Sequence, residues 1–184
     1  MPDRCAAGTA ESLEQLMKRY QHGDADAAAA LIDRVSPQLY RFFMAQVFSR
    51  KYAQDLLQDT WLRVHQARHT YRPGEPALPW IYAIARHVRV DGFRKRRRIE
   101  VRERGVETLP ERAPAGSAPG PDLEALLAAL PESQREVIAM LKIADMSLEE
   151  VARATSSSVG SVKQKAHRGY EKLRELLTAG GYGR

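Results

Sequence analysis

The chain has 184 residues, enough for one domain or two small ones, and its hydrophobic fraction of 43% is ordinary for a globular protein. A net charge of +6 and an isoelectric point near 9.6 favour an acidic partner, such as nucleic acid or an anionic membrane surface. Cys5 is the only cysteine, which excludes an intrachain disulfide and a thiolate metal cluster. Because the sequence shows neither a signal peptide nor a membrane span, we expect a soluble, intracellular protein.

Capping and breaking signals divide the first part of the chain into predicted helices. Residues 12–15 form a capping box, Gly23 ends the helix that follows, and Asp24 can cap the next one. Ser36 followed by Pro37 predicts that another helix begins there, because proline is tolerated at the first helical position.

A further helix is predicted over about 52–69, and two prolines and a glycine predict a loop at 71–76. The next helix opens at Pro79 with helical apolar spacing and ends in a basic run over 94–98.

Composition changes after about residue 104, where Pro, Gly, Ala and Ser become frequent. We predict an N-terminal lobe over 1–100, a flexible linker over 101–122 and a C-terminal lobe over 123–184. No strand pattern is visible, so the predicted fold class is all-α, with two helical lobes. In the second lobe, residues 147–150 form another capping box.

The C-terminal lobe has a short helix, a polar turn and a longer helix, which is the order of a helix-turn-helix. We expect the longer helix to enter a major groove by its N-terminal end. Its candidate contacts there are Ser158, Ser161, Lys163, Gln164, Lys165 and Arg168. The serines, Lys163 and Arg168 suit phosphates, whereas Gln164 and Lys165 reach base edges. The alternative is a solvated pair of amphipathic helices.

Aromatic residues accompany the basic run of the N-terminal lobe. Trp80 and Tyr82 open the same helix, and Tyr71 lies in the preceding loop. Aromatic rings beside cations suit single-stranded nucleic acid, where each stacked base contributes ~1–3 kcal/mol. Two alternatives stay open: Trp80 as a core residue, and the charge run as a solvated tail.

An acidic and polar helix face is predicted within residues 55–64, where spacings of three and four keep Asp55, Gln58, Asp59 and Arg63 together. It differs from the basic surfaces, so it suits a protein partner, although composition alone favours a solvated face.

His65 and His69 have a spacing that can hold a metal, but no nearby carboxylate completes a set, so an exposed pair is favoured. We predict no metal, cofactor, small-molecule substrate or catalytic site.

The chain resembles the extracytoplasmic-function sigma factors, small bacterial RNA polymerase subunits, over roughly residues 12–100 and 123–178. The order and spacing of five stretches make the resemblance specific. These are DLLQDTWLRV (55–64), PWIYAIARHVRVDGFRKRRR (79–98), LPESQREVIAM (130–140), MSLEEVARA (146–154) and SVGSVKQKAHRGYEKLREL (158–176).

The resemblance implies that the first lobe is sigma region 2 and binds the clamp helices of the largest polymerase subunit. The residues implied for core binding are Asp55, Gln58, Asp59, Trp61 and Arg63. The loop before Trp80 and the helix after it would capture the unwound −10 strand. The residues implied there are Tyr71, Trp80, Tyr82, Arg86, Arg89, Asp91, Arg94, Lys95, Arg96, Arg97 and Arg98.

The resemblance also implies that the second lobe is sigma region 4, which reads the −35 element as duplex and meets the polymerase flap. An anti-sigma protein would control the factor in the cytoplasm or, if membrane-bound, hold it at the inner membrane, as in stress-response transcription. Two departures from the family are Ser156 and Ser157, where a glycine and an apolar residue are usual, and the proline-rich loop over 70–79.

Two rival functions are a conventional helix-turn-helix repressor or activator, and a basic protein that binds membranes or RNA. The first would retard duplex DNA without polymerase, and the second would bind without regard to sequence.

Overall fold

A computed structural model describes residues 11–104 and 123–179, and in those residues the chain forms α-helices and no strand. The all-α prediction is confirmed, and residues 105–122 of the predicted linker lie outside the described part. The helices are α1 (Leu13–Gln21), α2 (Ala25–Val47), α3 (Arg50–Ala67), α4 (Ala77–Arg104), α5 (Leu123–Ala128), α6 (Glu132–Lys142), α7 (Leu148–Ala154) and α8 (Val159–Ala179). A 3-10 turn, Arg68–Thr70, follows α3.

The caps predicted at residues 12–15, 147–150 and Asp24 are present as hydrogen bonds. The Ser12 and Ser147 hydroxyls each accept from the backbone N–H three residues on, and both capping boxes are complete. Asp24 caps α2 by accepting from the Ala27 N–H, and the Ser158 hydroxyl accepts from the Ser161 N–H at the start of α8. These side chains satisfy N–H groups that the first turn of a helix leaves without a partner.

The predicted helix start at Ser36 is wrong, because α2 runs without interruption through Pro37. One stripe of α2, formed by Leu31, Val35, Leu39 and Phe42, is fully buried along the whole helix. Proline inside a helix removes a hydrogen bond and costs ~3 kcal/mol. Burial of several large side chains, at about 1.5–3 kcal/mol each, exceeds that cost.

The first four helices enclose the core of the N-terminal lobe, and α2 contacts α1, α3 and α4. Its largest fully buried side chains are Tyr82, Phe42, Phe43, Leu16, Met17, Leu31, Leu39, Leu56 and Ile81. Helix α4 begins at Ala77 rather than at Pro79, and it continues to Arg104, beyond the predicted lobe boundary at residue 100.

Helices α5 to α8 form the second lobe around Val137, Met140, Val151 and Val162. The helices α6 and α8 approach so closely that a Cβ atom on Gly169 would lie 2.5 Å from Ile138 Cδ1. A larger residue there would therefore have to displace the end of the Ile138 side chain.

The two lobes pack against each other. Helix α2 contacts α5 and α6, and α4 contacts α7. Helix α4 is therefore shared: its apolar side belongs to the first core, and part of its polar side meets the second lobe. Within the described residues, no helix has the length and apolarity that a membrane crossing requires.

Candidate polymerase and nucleic-acid interfaces

The acidic and polar face predicted on α3 is formed in the structure. Asp55, Gln58 and Asp59 are exposed on the side opposite the buried Leu56 and Val64. Leu62 extends this face by one turn and is 56% exposed. Sequence reasoning missed Leu62, although its spacing from Asp55, Gln58 and Asp59 places it on the same helix face.

Trp61 and Arg63 lie at the two edges of this face, where α3 meets α2 and α4. The half-buried Trp61 indole donates a hydrogen bond to the Ser36 hydroxyl of α2 at 2.9 Å. Arg63 donates to the Asp91 carboxylate of α4, also at 2.9 Å. Asp91, predicted among the −10 contacts, therefore lies beside the α3 face and balances the charge of Arg63.

The aromatic residues predicted to stack on bases have different environments. Trp80 is half-buried, and its ring meets the Tyr71 ring edge-on at 5.6 Å between centroids. Tyr71 itself is 2% exposed, and its hydroxyl donates to the Glu75 backbone carbonyl. Trp80 keeps an accessible surface, whereas the buried Tyr71 ring packs against Trp80, so the prediction that Tyr71 itself contacts DNA is wrong for this structure.

The prediction that Tyr82 contacts DNA is wrong for this structure. Its side chain is fully buried against the Phe42 ring, at 5.2 Å between centroids. Its hydroxyl has no hydrogen-bond partner among the described residues, and burial raises the pKa of that hydroxyl. Packing against α2 therefore places Tyr82 in the core of the N-terminal lobe.

Arg86 and Arg89 project from α4 toward α6 instead of toward open solvent. The Glu136 carboxylate accepts one hydrogen bond from each arginine, both at 3.1 Å. The Arg89 guanidinium also forms an ion pair with Glu132. The Arg89 and Glu136 side chains are only 9% and 6% exposed. We call these four residues the inter-lobe ion cluster.

Arg135 makes a second polar contact between the lobes. Its guanidinium lies 5.2 Å from the Phe48 ring centroid and donates to the Gln46 backbone carbonyl at 3.4 Å. Burial lowers the pKa of Arg135. Nearby, the buried Gln46 side-chain amide has no hydrogen-bond partner among the residues that the structure describes.

Beyond the ion cluster, the basic end of α4 is exposed from Arg94 to Arg98. The Arg96 guanidinium lies 4.3 Å from the Tyr52 ring centroid, so α3 supports it from below. Phe93, which sequence reasoning passed over, directly precedes this segment and is 58% exposed. An exposed aromatic ring beside several cations provides the two components that bind single-stranded nucleic acid.

The helix-turn-helix is formed by α7 and α8. At the start of α8, Ser158, Lys163, Gln164 and Arg168 are exposed, while Ser161 and Lys165 are half-buried. The opposite side of the helix is buried through Val162 and Ala166. All six predicted residues therefore keep accessible surface, and Ser161, Gln164, Lys165 and Arg168, at spacings of three and four, share one side of α8.

The turn explains one departure from the family pattern. Ser156 has a φ of 49°, in the left-handed region that glycine adopts without cost. A non-glycine residue there costs about 1–2 kcal/mol. The Ser157 N–H donates to the Ala152 carbonyl at 2.9 Å, and the Thr155 and Ser157 hydroxyls share a hydrogen bond. Hydrogen bonds therefore hold the turn at this departure from the family pattern.

The predicted histidine pair is exposed, at both His65 and His69. His65 Nδ1 shares a hydrogen bond with the Tyr20 hydroxyl at 2.9 Å. Across residues 11–104 and 123–179, no group of three or more His, Cys, Asp or Glu side chains could hold a metal ion.

Comparisons with known proteins match both lobes. The family model of sigma-70 region 2 matches residues 31–99, and the model of sigma-70 region 4 matches residues 122–173. Among curated relatives, the RNA polymerase sigma factor CarQ of Myxococcus xanthus is 36% identical over 88% of this chain and 95% of its own length. The ECF RNA polymerase sigma factor SigX of Bacillus subtilis is 31% identical over 80% of this chain and 81% of its own.

Two solved structures share the fold. The sigma factor RpoE, in complex with the anti-sigma factor NepR from Bartonella quintana, superimposes with a TM-score of 0.70 at 26% identity, over 82% of this chain and 96% of that one. CnrH, in complex with the cytosolic domain of CnrY, gives a TM-score of 0.72 at 23% identity, over 92% and 99%. The chain therefore belongs to the extracytoplasmic-function sigma factors, with regions 2 and 4 of the sigma-70 family in its two lobes.

Proposed function

We propose that this sigma factor binds core RNA polymerase, directs it to promoters and helps to open the −10 element. The observation that carries the proposal is the presence of three distinct surfaces on one chain. An acidic, polar face lies on α3, a cationic segment with aromatic residues lies on α4, and a polar, cationic helix-turn-helix surface lies on α8.

The α3 face is the proposed contact with the clamp helices of polymerase. Asp55, Gln58 and Asp59 offer acceptors for cationic side chains, and Leu62 offers an apolar centre. Arg63, already oriented by Asp91, completes the rim. The second lobe contacts the flap in this proposal.

Promoter recognition is divided between α8 and α4. The outer side of α8 reads the −35 duplex, with Gln164 and Lys165 at base edges and Lys163 and Arg168 at phosphates. In the N-terminal lobe, Trp80 stacks on a base of the opened −10 strand, and the cations of 94–98 hold its backbone. No covalent chemistry is needed, so the proposed role is that of an initiation factor rather than an enzyme.

The inter-lobe ion cluster supports a regulated version of this function. Arg86 and Arg89, which we assign to the −10 strand, are occupied by the carboxylates of Glu132 and Glu136. Two carboxylates therefore stand where phosphates would bind. We propose that polymerase binding separates the lobes, frees both arginines and sets the lobes at the spacing of the two promoter elements.

An anti-sigma protein is the proposed inhibitor, because the related RpoE is known in complex with the anti-sigma factor NepR. Such a protein would cover the α3 face in the cytoplasm, and a membrane-bound one would hold the factor at the inner membrane.

Reversing the charge of Asp59 tests the proposal. We expect Asp59→Arg to weaken binding to purified core polymerase at least about tenfold, since 1.4 kcal/mol corresponds to that factor. Asp33→Arg is the matched control, because Asp33 is exposed on α2 and lies outside the α3 face. Affinity is measured by fluorescence titration, and transcription start sites are mapped on a genomic library.

The proposal is lost if the wild-type chain fails to bind core polymerase but retards duplex DNA by itself. Equal core affinities for Asp59→Arg and Asp33→Arg, with normal helicity, would remove the α3 face from the interface.

A further inference from the structure

Helix α1 precedes the part of the chain that the region 2 model matches, yet its side chains hold the loop before α4. The Gln21 side-chain amide donates two hydrogen bonds, to the Arg68 and Tyr71 backbone carbonyls, each at 2.7 Å. These carbonyls stand at the beginning of the loop. A single NH₂ group thus fixes the chain where it leaves the 3-10 turn.

Glu14, on the same helix, holds the other end of the loop. Its Oε1 accepts a hydrogen bond from the Ala77 N–H at 3.1 Å, at the first residue of α4. Burial opposes ionisation of Glu14, but hydrogen bonds led by that from Ala77 outweigh it and lower the pKa of the carboxyl. An ionised carboxylate at a helix N-terminus is also favoured by the helix dipole.

Tyr20 fastens α1 to the end of α3. Besides its hydrogen bond to His65, its ring lies 5.9 Å from the Arg68 guanidinium carbon. Side chains of one helix therefore contact the residues before, at the start of and after the loop.

Between these anchors, the tip of the loop is exposed from Arg72 to Glu75, and Gly74 adopts a φ of 93°. The Tyr71 hydroxyl bonds across the loop to the Glu75 carbonyl, and the Tyr71 ring supports Trp80. The loop is thus fixed at both ends and braced inside, while its tip and part of Trp80 face solvent.

We propose that Gln21 and Glu14 are positioning residues for −10 recognition, holding the loop over 71–76 and Trp80 in the shape that receives an unstacked base. The inference rests on the proposed function of that loop and adds α1 as part of the recognition element. A surface that is already ordered loses less conformational entropy when it binds, so its affinity and base preference are higher.

The test replaces Gln21 with Glu in the full chain assembled with core polymerase. The variant is isosteric but lacks the NH₂ donors, so the Tyr71 carbonyl loses the hydrogen bond from Gln21 and the Arg68 carbonyl keeps only that from the Tyr71 N–H. The probe is a randomised pool of ten-nucleotide single-stranded DNA, sequenced before and after capture by the holoenzyme. We expect capture to fall about five- to thirtyfold, and the base preference to flatten, which corresponds to 1–2 kcal/mol.

Gln15→Ala is the matched control. Gln15 completes the capping box by accepting from the Ser12 N–H at 2.8 Å, and within the described residues it makes no hydrogen bond to the loop. Its loss weakens α1 by about 1 kcal/mol without touching the loop, so we expect an unchanged base preference.

A second pair of variants separates hydrogen bonding from charge. Glu14→Gln keeps an acceptor for the Ala77 N–H, whereas Glu14→Leu removes it. We expect the Leu variant to reproduce the flattened base preference and the Gln variant to restore most of it. Core affinity and capture of a randomised duplex pool through α8 stay unchanged in both.

The outcomes distinguish two failures. If the wild-type holoenzyme captures no sequence-selected single strands, the proposed function of the loop fails. If it does, and Gln21→Glu keeps the wild-type profile or only matches Gln15→Ala, the inference about α1 is overturned.

Discussion

The two cationic surfaces of this sigma factor are held in opposite ways. On α8, Lys163 and Arg168 are exposed and have no ion-pair partner in the described part of the chain. On α4, Arg86 and Arg89 are tied to carboxylates of the second lobe. The surface proposed for the −35 duplex needs no cation to be released, whereas part of the surface proposed for the −10 strand must first lose its internal partners.

The second lobe is therefore involved in both the proposed −35 recognition and the proposed −10 recognition. It carries the duplex-reading helix, and its helix α6 also neutralises the arginines of the first lobe. The polar character of the contact favours reversal. Buried Gln46 and the Nε atoms of Arg89 and Arg135 have no hydrogen-bond partner within residues 11–104 and 123–179, and each would gain water on separation.

Removing the central carboxylate with Glu136→Leu should disturb the contact between the lobes most. Breaking a buried ion pair costs about 3–5 kcal/mol, because a charge stays buried without its partner. We expect the lobes of the free protein to separate, which raises the radius of gyration in small-angle X-ray scattering and strengthens binding to single-stranded DNA. Glu132→Leu is the control, since Glu132 is 63% exposed and an exposed pair contributes ~0–1 kcal/mol. An unchanged radius of gyration and an unchanged free energy of unfolding in Glu136→Leu would show that the inter-lobe ion cluster does not hold the lobes together.

Gly169→Ala disturbs the second lobe without changing any charge. The added methyl group would meet Ile138 Cδ1 at 2.5 Å, so we expect a loss of about 1–3 kcal/mol in the free energy of unfolding. Gly160→Ala is its match on the same helix, because that Cβ meets only the Ser158 hydroxyl at 3.9 Å. Urea denaturation compares the two, and equal stabilities would contradict the close α6–α8 contact.

Arg168→Ala and Lys165→Ala test which residues of the proposed −35 surface on α8 contact phosphates and which contact bases. Each lost phosphate contact lowers the salt dependence of binding by about one unit of slope, so we expect a shallower slope for Arg168→Ala on a −35 duplex with holoenzyme. Lys165→Ala is expected to relax base preference instead. Lys172→Ala is the control, since Lys172 pairs with Glu175 farther along α8. Equal transcription with and without a −35 element would remove this role.

Tyr82→Phe has the smallest expected effect and tests the placement of this residue in the core. The variant loses a buried hydroxyl that has no partner in the described residues, so we expect unfolding free energy to stay constant or rise by about 1 kcal/mol. Reduced capture of −10 strands would return Tyr82 to the interface.

The same variant has a pH signature. Burial raises the pKa of Tyr82, so the hydroxyl holds its proton longer in the folded than in the unfolded chain. Its contribution is complete below the unfolded pKa of about 10 and declines as pH rises above it. As pH rises above 10, we expect the thermal stability of Tyr82→Phe to fall less than that of the wild type.

Local patterns were sufficient for much of this protein. The capping boxes at residues 12–15 and 147–150 and the Asp24 cap were predicted because each depends on residues within four positions of one another. The α3 face was predicted from spacings of three and four along one helix, and the helix-turn-helix from the order of two helices around a polar turn. Leu62 and Phe93 were missed because exposure, unlike spacing, is a property of the assembled surface.

Tertiary structure alone decided the rest. Continuous burial carried α2 through Pro37, and the same core enclosed Tyr82, which sequence had placed on DNA. Arg86 and Glu136 are 50 residues apart in sequence, so no local pattern could pair them. Short-range chemistry sets where helices begin and which side is polar, but only packing decides which polar groups meet solvent and which meet each other.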